Sequence, residues 1–102
     1  MGKLGTLQEP IGRYNGPFVN GEKEGDYGEY YSDNGTVYKG SYVNGYREGS
    51  GTVYNNEGQI AYKGEMKEGL PHGTGSIYKN DKEMKTTWVQ GIDYNLLPES
   101  QK

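Results

Sequence analysis

A glycine and tyrosine pattern with a 24-residue period constrains this chain more than any other feature. Gly16, Gly40 and Gly64 are 24 apart. Gly21, Gly45 and Gly69 share that step, as do Gly25, Gly49 and Gly73, and Tyr14, Tyr38 and Tyr62. Gly28, Gly51 and Gly75 follow at steps of 23 and 24. A fixed period of this size marks one small unit repeated along the chain, each copy burying its apolar face against the next. The units open Tyr14-Asn-Gly-Pro-Phe-Val-Asn-Gly21, Tyr38-Lys-Gly-Ser-Tyr-Val-Asn-Gly45 and Tyr62-Lys-Gly-Glu-Met-Lys-Glu-Gly69. Their second halves run Gly28-Glu-Tyr-Tyr31, Gly51-Thr-Val-Tyr54 and Gly75-Ser-Ile-Tyr78, each followed by a turn. Met84 to Gly91 aligns with Tyr38 to Gly45 as a partial fourth unit, with Trp88 in the slot of Phe18, Tyr42 and Met66. Gly5-Thr6-Leu7-Gln8 resembles Gly51 to Tyr54. The chain therefore divides into an N-terminal partial unit or cap (1–13), full units 14–37, 38–61 and 62–83, a partial unit 84–91, and a tail 92–102.

Each unit reads as two antiparallel strands. Tyr14-x-Gly16-x-Phe18 alternates at period two, the strand spacing. Thr52-Val53-Tyr54 and Ser76-Ile77-Tyr78 carry the β-branched and aromatic residues that strands prefer. Asn20-Gly21 and Asn44-Gly45 accept positive φ and supply tight reversals, and Asp33-Asn34-Gly35 repeats that signal at the other strand end. Helix is disfavoured, because each interrupting glycine costs about 1 kcal/mol. The expected fold is all-β: an elongated, twisted, single-layer antiparallel meander of about eight short strands. Glycines inside strands imply close approach by a ring or a neighbouring backbone. Gly16, Gly40 and Gly64 are read that way, with Tyr14, Tyr38 and Tyr62 stacked two strands apart as an aromatic ladder. The glycines at 25, 28, 49, 51, 73 and 75 are read as bracketing a bend or bulge.

Composition then limits function. Leu, Ile, Val and Phe number 15 of 102 residues, too few for an ordinary core. Eleven tyrosines and a net charge of only −3 argue against disorder. With no cysteine there is no disulfide framework and no Cys-ligated metal site. The N-terminus lacks a signal-peptide apolar run, and no stretch is long enough to span a membrane. Gly2 with Thr6 has only the outline of a myristoylation site. A pI near 5.1 argues against nucleic acid as the main partner.

The spacing Tyr-x-Gly-x-(aromatic)-x-x-Gly-x-x-x-Gly-x-Gly, complete in Tyr38 to Gly51, resembles the MORN repeat (membrane occupation and recognition nexus). The family's usual Trp slot is held here by Phe18, Tyr42 and Met66, and Trp88 restores it. The units are 24 residues rather than the family's 23. The added residues fall at Gly25-Asp-Tyr-Gly28 and at Glu57 to Ala61, where a bend or turn absorbs them. The resemblance implies an elongated single-layer sheet and a protein–protein scaffold in a larger cytoskeletal, ciliary or membrane-associated assembly. It implies a cytoplasmic site of action. Phosphoinositide or other anionic-lipid binding at a membrane surface is the alternative it implies.

Candidate sites follow from the faces. Tyr14, Gly16, Gly21, Tyr38, Gly40, Gly45, Tyr62, Gly64 and Gly69 are read as structural repeat positions. Tyr31, Tyr54 and Tyr78, with Phe18, Tyr42 and Trp88, are read as partner contacts, since a one-layer sheet of this composition cannot cover both faces and aromatics anchor interfaces. Exposed edge strands make an edge-to-edge homodimer a further option. No enzyme chemistry is visible: His72, the single histidine, sits in a bend without a metal or nucleophile partner. No cofactor is implied. Glu22, Glu24, Asp26, Glu29 and Asp33 lack calcium-loop spacing and read as a solvated charge run. Gly49-Ser-Gly51 lacks the Lys-Ser/Thr of a phosphate loop. Lys39, Arg47, Lys63, Lys67, Lys79, Lys82 and Lys85 lean toward the C-terminal half, balanced by nearby acids. In the tail, Leu96-Leu97 before Pro98 reads as a cap on the last strand, with docking elsewhere as the alternative.

Overall fold

The computed structural model describes residues 11–102. The N-terminal partial unit at Gly5 to Gln8 and the Gly2–Thr6 outline lie outside the described residues. Ten strands follow in order: β1 (Gly12–Asn15), β2 (Phe18–Val19), β3 (Glu22–Lys23), β4 (Gly25–Ser32), β5 (Val37–Val43), β6 (Tyr46–Tyr54), β7 (Ile60–Lys67), β8 (Leu70–Lys79), β9 (Lys82–Val89) and β10 (Ile92–Asp93). Eight form one antiparallel meander, β1-β4-β5-β6-β7-β8-β9-β10. β2 and β3 pair separately. They complete the hairpin begun by β1, interrupted at Gly16-Pro17, where proline has no N–H for a ladder. The chain is all-β, as its repeat predicts. Substantial contacts between elements join sheet neighbours only, with a single-turn 3-10 helix at Tyr94–Leu96 resting on β9.

Register turns the 24-residue period into rows that cross the sheet. One row runs Tyr14, Tyr30, Tyr38, Val53, Tyr62, Ile77 and Met84, each the direct partner of the next. The neighbouring row on that face is Gly28, Gly40, Gly51, Gly64, Gly75 and Thr86. Each ladder tyrosine lies flat along its strand over this bare row. A Cβ on Gly16 or Gly28 would come within 2.6 or 2.7 Å of Tyr14, and Gly40 and Gly51 stand in the same relation to Tyr38. The ring is pinned at its far end. Tyr14, Tyr38 and Tyr62 donate their hydroxyls to the carbonyls of Pro17, Ser41 and Glu65, at 2.8, 3.0 and 2.7 Å.

Two sequence expectations are corrected here. Gly28, Gly51 and Gly75 end the register shift at the bend, as expected, but they also cradle rings. Gly25, Gly49 and Gly73 make the bend, with positive φ. Tyr14, Tyr38 and Tyr62 stand two strands apart in one row, as expected, with Tyr30 and Val53 between them. Aromatic contact runs edge to face through the slot residues: Tyr14–Phe18 at 5.0 Å, Tyr14–Tyr42 at 5.1 Å, Tyr38–Tyr42 at 5.4 Å and Tyr62–Trp88 at 5.9 Å. Two of these, Tyr14–Tyr42 and Tyr62–Trp88, join one unit to the next. Tyr42, read as a partner contact, is only 1% exposed and belongs to the core with Tyr30, Tyr38, Tyr62 and Met66. Arg47 reaches the same face, its guanidinium 4.6 Å from the centre of the Tyr38 ring.

The two extra residues fall where strands tolerate them. Register shifts between Gly25 and Gly28, and again between Val53 and Tyr54 opposite Tyr62 and Ile60. Thr86 replaces a glycine because Met84 rather than a tyrosine precedes it. Its hydroxyl instead donates to Asp93. In the tail, Leu97 is buried and Leu96 is 77% exposed.

Candidate functional site

The face opposite the tyrosine cradle carries Tyr31, Tyr54 and Tyr78. No element among the described residues is laid across it. Its rows are again set by register. The first runs Arg13, Tyr31, Val37 and Tyr54, then reaches Ile60 across the bulge, while Tyr78 stands opposite Glu83 further along. The second runs Asn15, Glu29, Lys39, Thr52, Lys63, Ser76 and Lys85 without a break. Lys39, Lys63 and Lys85 are thus two strands apart, about 10 Å at the usual strand separation.

The tyrosines of this face are tied down by charge. Arg13 lies 5.8 Å from the centre of the Tyr31 ring and the Lys39 ammonium 5.3 Å from that of Tyr54, within cation–π range. Tyr27, Glu29 and Tyr31 alternate along β4, and both hydroxyls donate to the Glu29 carboxylate, at 2.8 and 2.6 Å. Those two hydrogen bonds, Tyr31's first, hold the Glu29 carboxyl below its ordinary range. The same bonds raise the phenols of Tyr27 and Tyr31. On the cradle face burial, with a smaller push from Glu65, raises the Tyr62 phenol to about 12.

Two concavities open on the sheet. One of about 340 Å³ lies over the lysine row, lined by Asp26, Tyr27, Lys39, Ser50, Thr52 and Lys63 among others. One of about 460 Å³ lies at the turn end, lined by Asn55, Gln59, Ile60, Tyr78, Asn80 and Asp81. Asn55 is already engaged there, accepting from the backbone of Glu57 and Gln59.

Tyr31, Tyr54 and Tyr78 therefore lie on one face, half-buried among their neighbours. Phe18, 58% exposed, lies apart on the cradle side against Tyr14. Trp88 is half-buried on that side, its indole N–H donating to Gly75 O at 3.0 Å. The six candidates do not form one site. Among the described residues no three His, Asp or Glu side chains gather as metal ligands, and no helix is long and apolar enough to cross a membrane.

Sequence reading missed a set of residues that dock the hairpin tips. Glu24, part of the supposedly solvated acidic run, accepts the Asn44 N–H at 2.8 Å. Glu48 accepts the Glu68 N–H at 2.9 Å, and His72 Nδ1 accepts the Gln90 N–H at 3.2 Å. Their 24-residue spacing, each just before a bend glycine, is the signal that was there to find. Comparison with protein-family models and with curated proteins finds no match to this chain.

Proposed function

We propose that the chain is a non-enzymatic interaction module of MORN type that offers its Tyr31–Tyr54–Tyr78 face to a protein partner in a larger assembly. The observation that carries the reading is the asymmetry of the sheet. One face is filled by tyrosine rings laid over glycines, and the other holds aromatics in register with nothing from the described chain across them. Preset, partly desolvated aromatics lose little entropy on binding and are common interface anchors. A cytoskeletal, ciliary or membrane-associated setting follows only from the family resemblance and is part of the proposal.

The test is affinity capture from the native source, comparing wild type with a Tyr54→Ser/Tyr78→Ser double variant. Wild type is expected to retain a stoichiometric protein that the variant loses, with the β-sheet circular dichroism of the two unchanged. Equal capture by both, or no stoichiometric protein with wild type, removes the reading. Self-association alone, seen by light scattering, would redirect it to an edge-to-edge dimer.

The lysine row favours a second reading, an anionic membrane surface. Each lysine near such a surface adds about 1 kcal/mol. Flotation with vesicles containing phosphatidylserine or phosphoinositide at low salt decides it. Loss of flotation in a Lys39→Gln/Lys63→Gln/Lys85→Gln variant supports it, and no flotation of wild type ends it.

A further inference from the structure

The hairpin tips of successive units dock onto the preceding bend by one repeated device. Asn44 and Gly45 donate their N–H groups to the Glu24 carboxylate and the Lys23 carbonyl, at 2.8 and 2.9 Å. Glu68 and Gly69 donate to the Glu48 carboxylate and the Arg47 carbonyl, at 2.9 and 3.0 Å. Gln90 and Gly91 donate to His72 Nδ1 and the Pro71 carbonyl, at 3.2 and 2.8 Å. The backbone half is the same three times. The side-chain half is a carboxylate twice and an imidazole once.

That exchange of acceptor changes the chemistry of one joint only. A carboxylate accepts a hydrogen bond at any pH well above its ordinary range near 4. An imidazole accepts at Nδ1 only when neutral, with its proton on Nε2. Once protonated, both ring nitrogens are donors, and two N–H groups would face each other across the joint. Imidazoles titrate between about pH 5 and 8, where a carboxylate stays charged. We infer that His72 is an acid-sensitive latch that fastens the Gln90 end of the β9–β10 tip to the β8 bend when neutral and loosens it when protonated, while the β8–β9 ladder stays paired.

The charged surroundings do not supply a substitute acceptor for Gln90. On β7, the Glu65 carboxylate lies against Gly73 and already accepts the Thr74 N–H at 2.8 Å. Lys67 of β7 pairs with Leu70, before the bend. β9 places Trp88 and Thr87 opposite Gly73 and Thr74, neither titratable in this range, and its Lys85 stands opposite Ser76. Asp93 of β10 is held by Thr86 and Asn95.

The experiment is residue-resolved amide exchange by NMR at pH 8 and pH 5, corrected for intrinsic exchange. Gln90 protection is expected to fall about 2- to 10-fold at pH 5, the loss of one hydrogen bond. Asn44 and Glu68, docked on carboxylates, provide the internal reference and keep theirs. A His72→Glu variant, which restores the acceptor of the other two joints, is expected to abolish the Gln90 change. If Gln90 tracks Asn44 and Glu68 across this range, or if H72E retains the fall, the latch is refuted. The wild-type comparison decides the matter by itself should H72E fail to fold.

Discussion

A Cβ at Gly51 would fall inside the Tyr38 ring, which lies across it with its hydroxyl bound to Ser41 O at 3.0 Å. The ring cannot lift away without breaking that bond and leaving the core, where Tyr38 is 1% exposed. Gly51→Ala is therefore an overpacking change against a pinned group, costing about 1–3 kcal/mol and lowering Tm by about 4–20 °C. Gly58 provides the contrast: φ is +81° and an added Cβ meets nothing within 4 Å. Gly58→Ala carries backbone strain alone, about 1–2 kcal/mol. A Tyr38→Phe background separates the two causes, because freeing the ring end lets it yield to a methyl group at 51. Thermal melts should show G51A costing less in Y38F than in wild type and G58A costing the same in both. Equal penalties for G51A in the two backgrounds would mean that the ring is not what excludes a side chain there.

At the element scale, the hairpin tips depend on residues that accept left-handed backbone. Asn20, Asn44, Glu68 and Gln90 all have φ near +50°, each followed by a glycine with φ above +80°. Asn44→Ala is expected to cost about 1 kcal/mol and Asn44→Gly only a few tenths, since glycine takes the conformation freely. Urea melts of the two variants check this, and a matching loss in both would point to a side-chain contact instead. The tips at Asn20-Gly21 and Asn44-Gly45 were legible from their Asn-Gly pairs, those at Glu68-Gly69 and Gln90-Gly91 were not, and the strand pairs were legible from period-two alternation around Tyr14, Tyr38 and Tyr62. The register shifts at Gly25–Gly28 and at Val53–Tyr54 were legible too, because the extra residues stood out against the repeat, whereas those at Gly40–Tyr42 and Gly64–Met66 recur with it. What stayed hidden depends on direction and reach. Gly49 and Gly51 look alike as letters, yet one turns the chain and the other receives a ring, a distinction that register decides. Tyr42 looked like a free aromatic because its slot varies, and the edge-to-face packing that buries it comes from two different units. The tip acceptors were masked because a carboxylate and an imidazole do not look alike, although both accept the same N–H. The partition of Tyr31 and Tyr54 from the cradle was visible from parity alone, but the cations over them were not.

Over the whole molecule, backbone contacts run mainly between strands adjacent in the sheet and ring contacts reach one strand further, so stability is carried along one dimension and each unit is held by the interfaces on either side. Tyr42 sits at such an interface near the middle, edge-on to Tyr14 in one unit and Tyr38 in its own. Trp88 occupies the equivalent slot at the end, with Tyr62 as its ring partner. Removing a large buried aromatic costs about 3–5 kcal/mol wherever it sits. Its consequence differs with place. A domain of this size holds about 5–15 kcal/mol in all, so Tyr42→Ala should bring the array close to global unfolding. Trp88→Ala removes the grip on β9 and β10, and the strands from β5 to β8 keep every other interface. Hydrogen exchange read by mass spectrometry separates these outcomes. In W88A the peptides covering 82–102 should exchange within the dead time while 37–67 remain protected. In Y42A protection should fall together along the chain. A uniform loss in W88A would show instead that the terminal unit and the centre fold as one, and the one-dimensional account would fail.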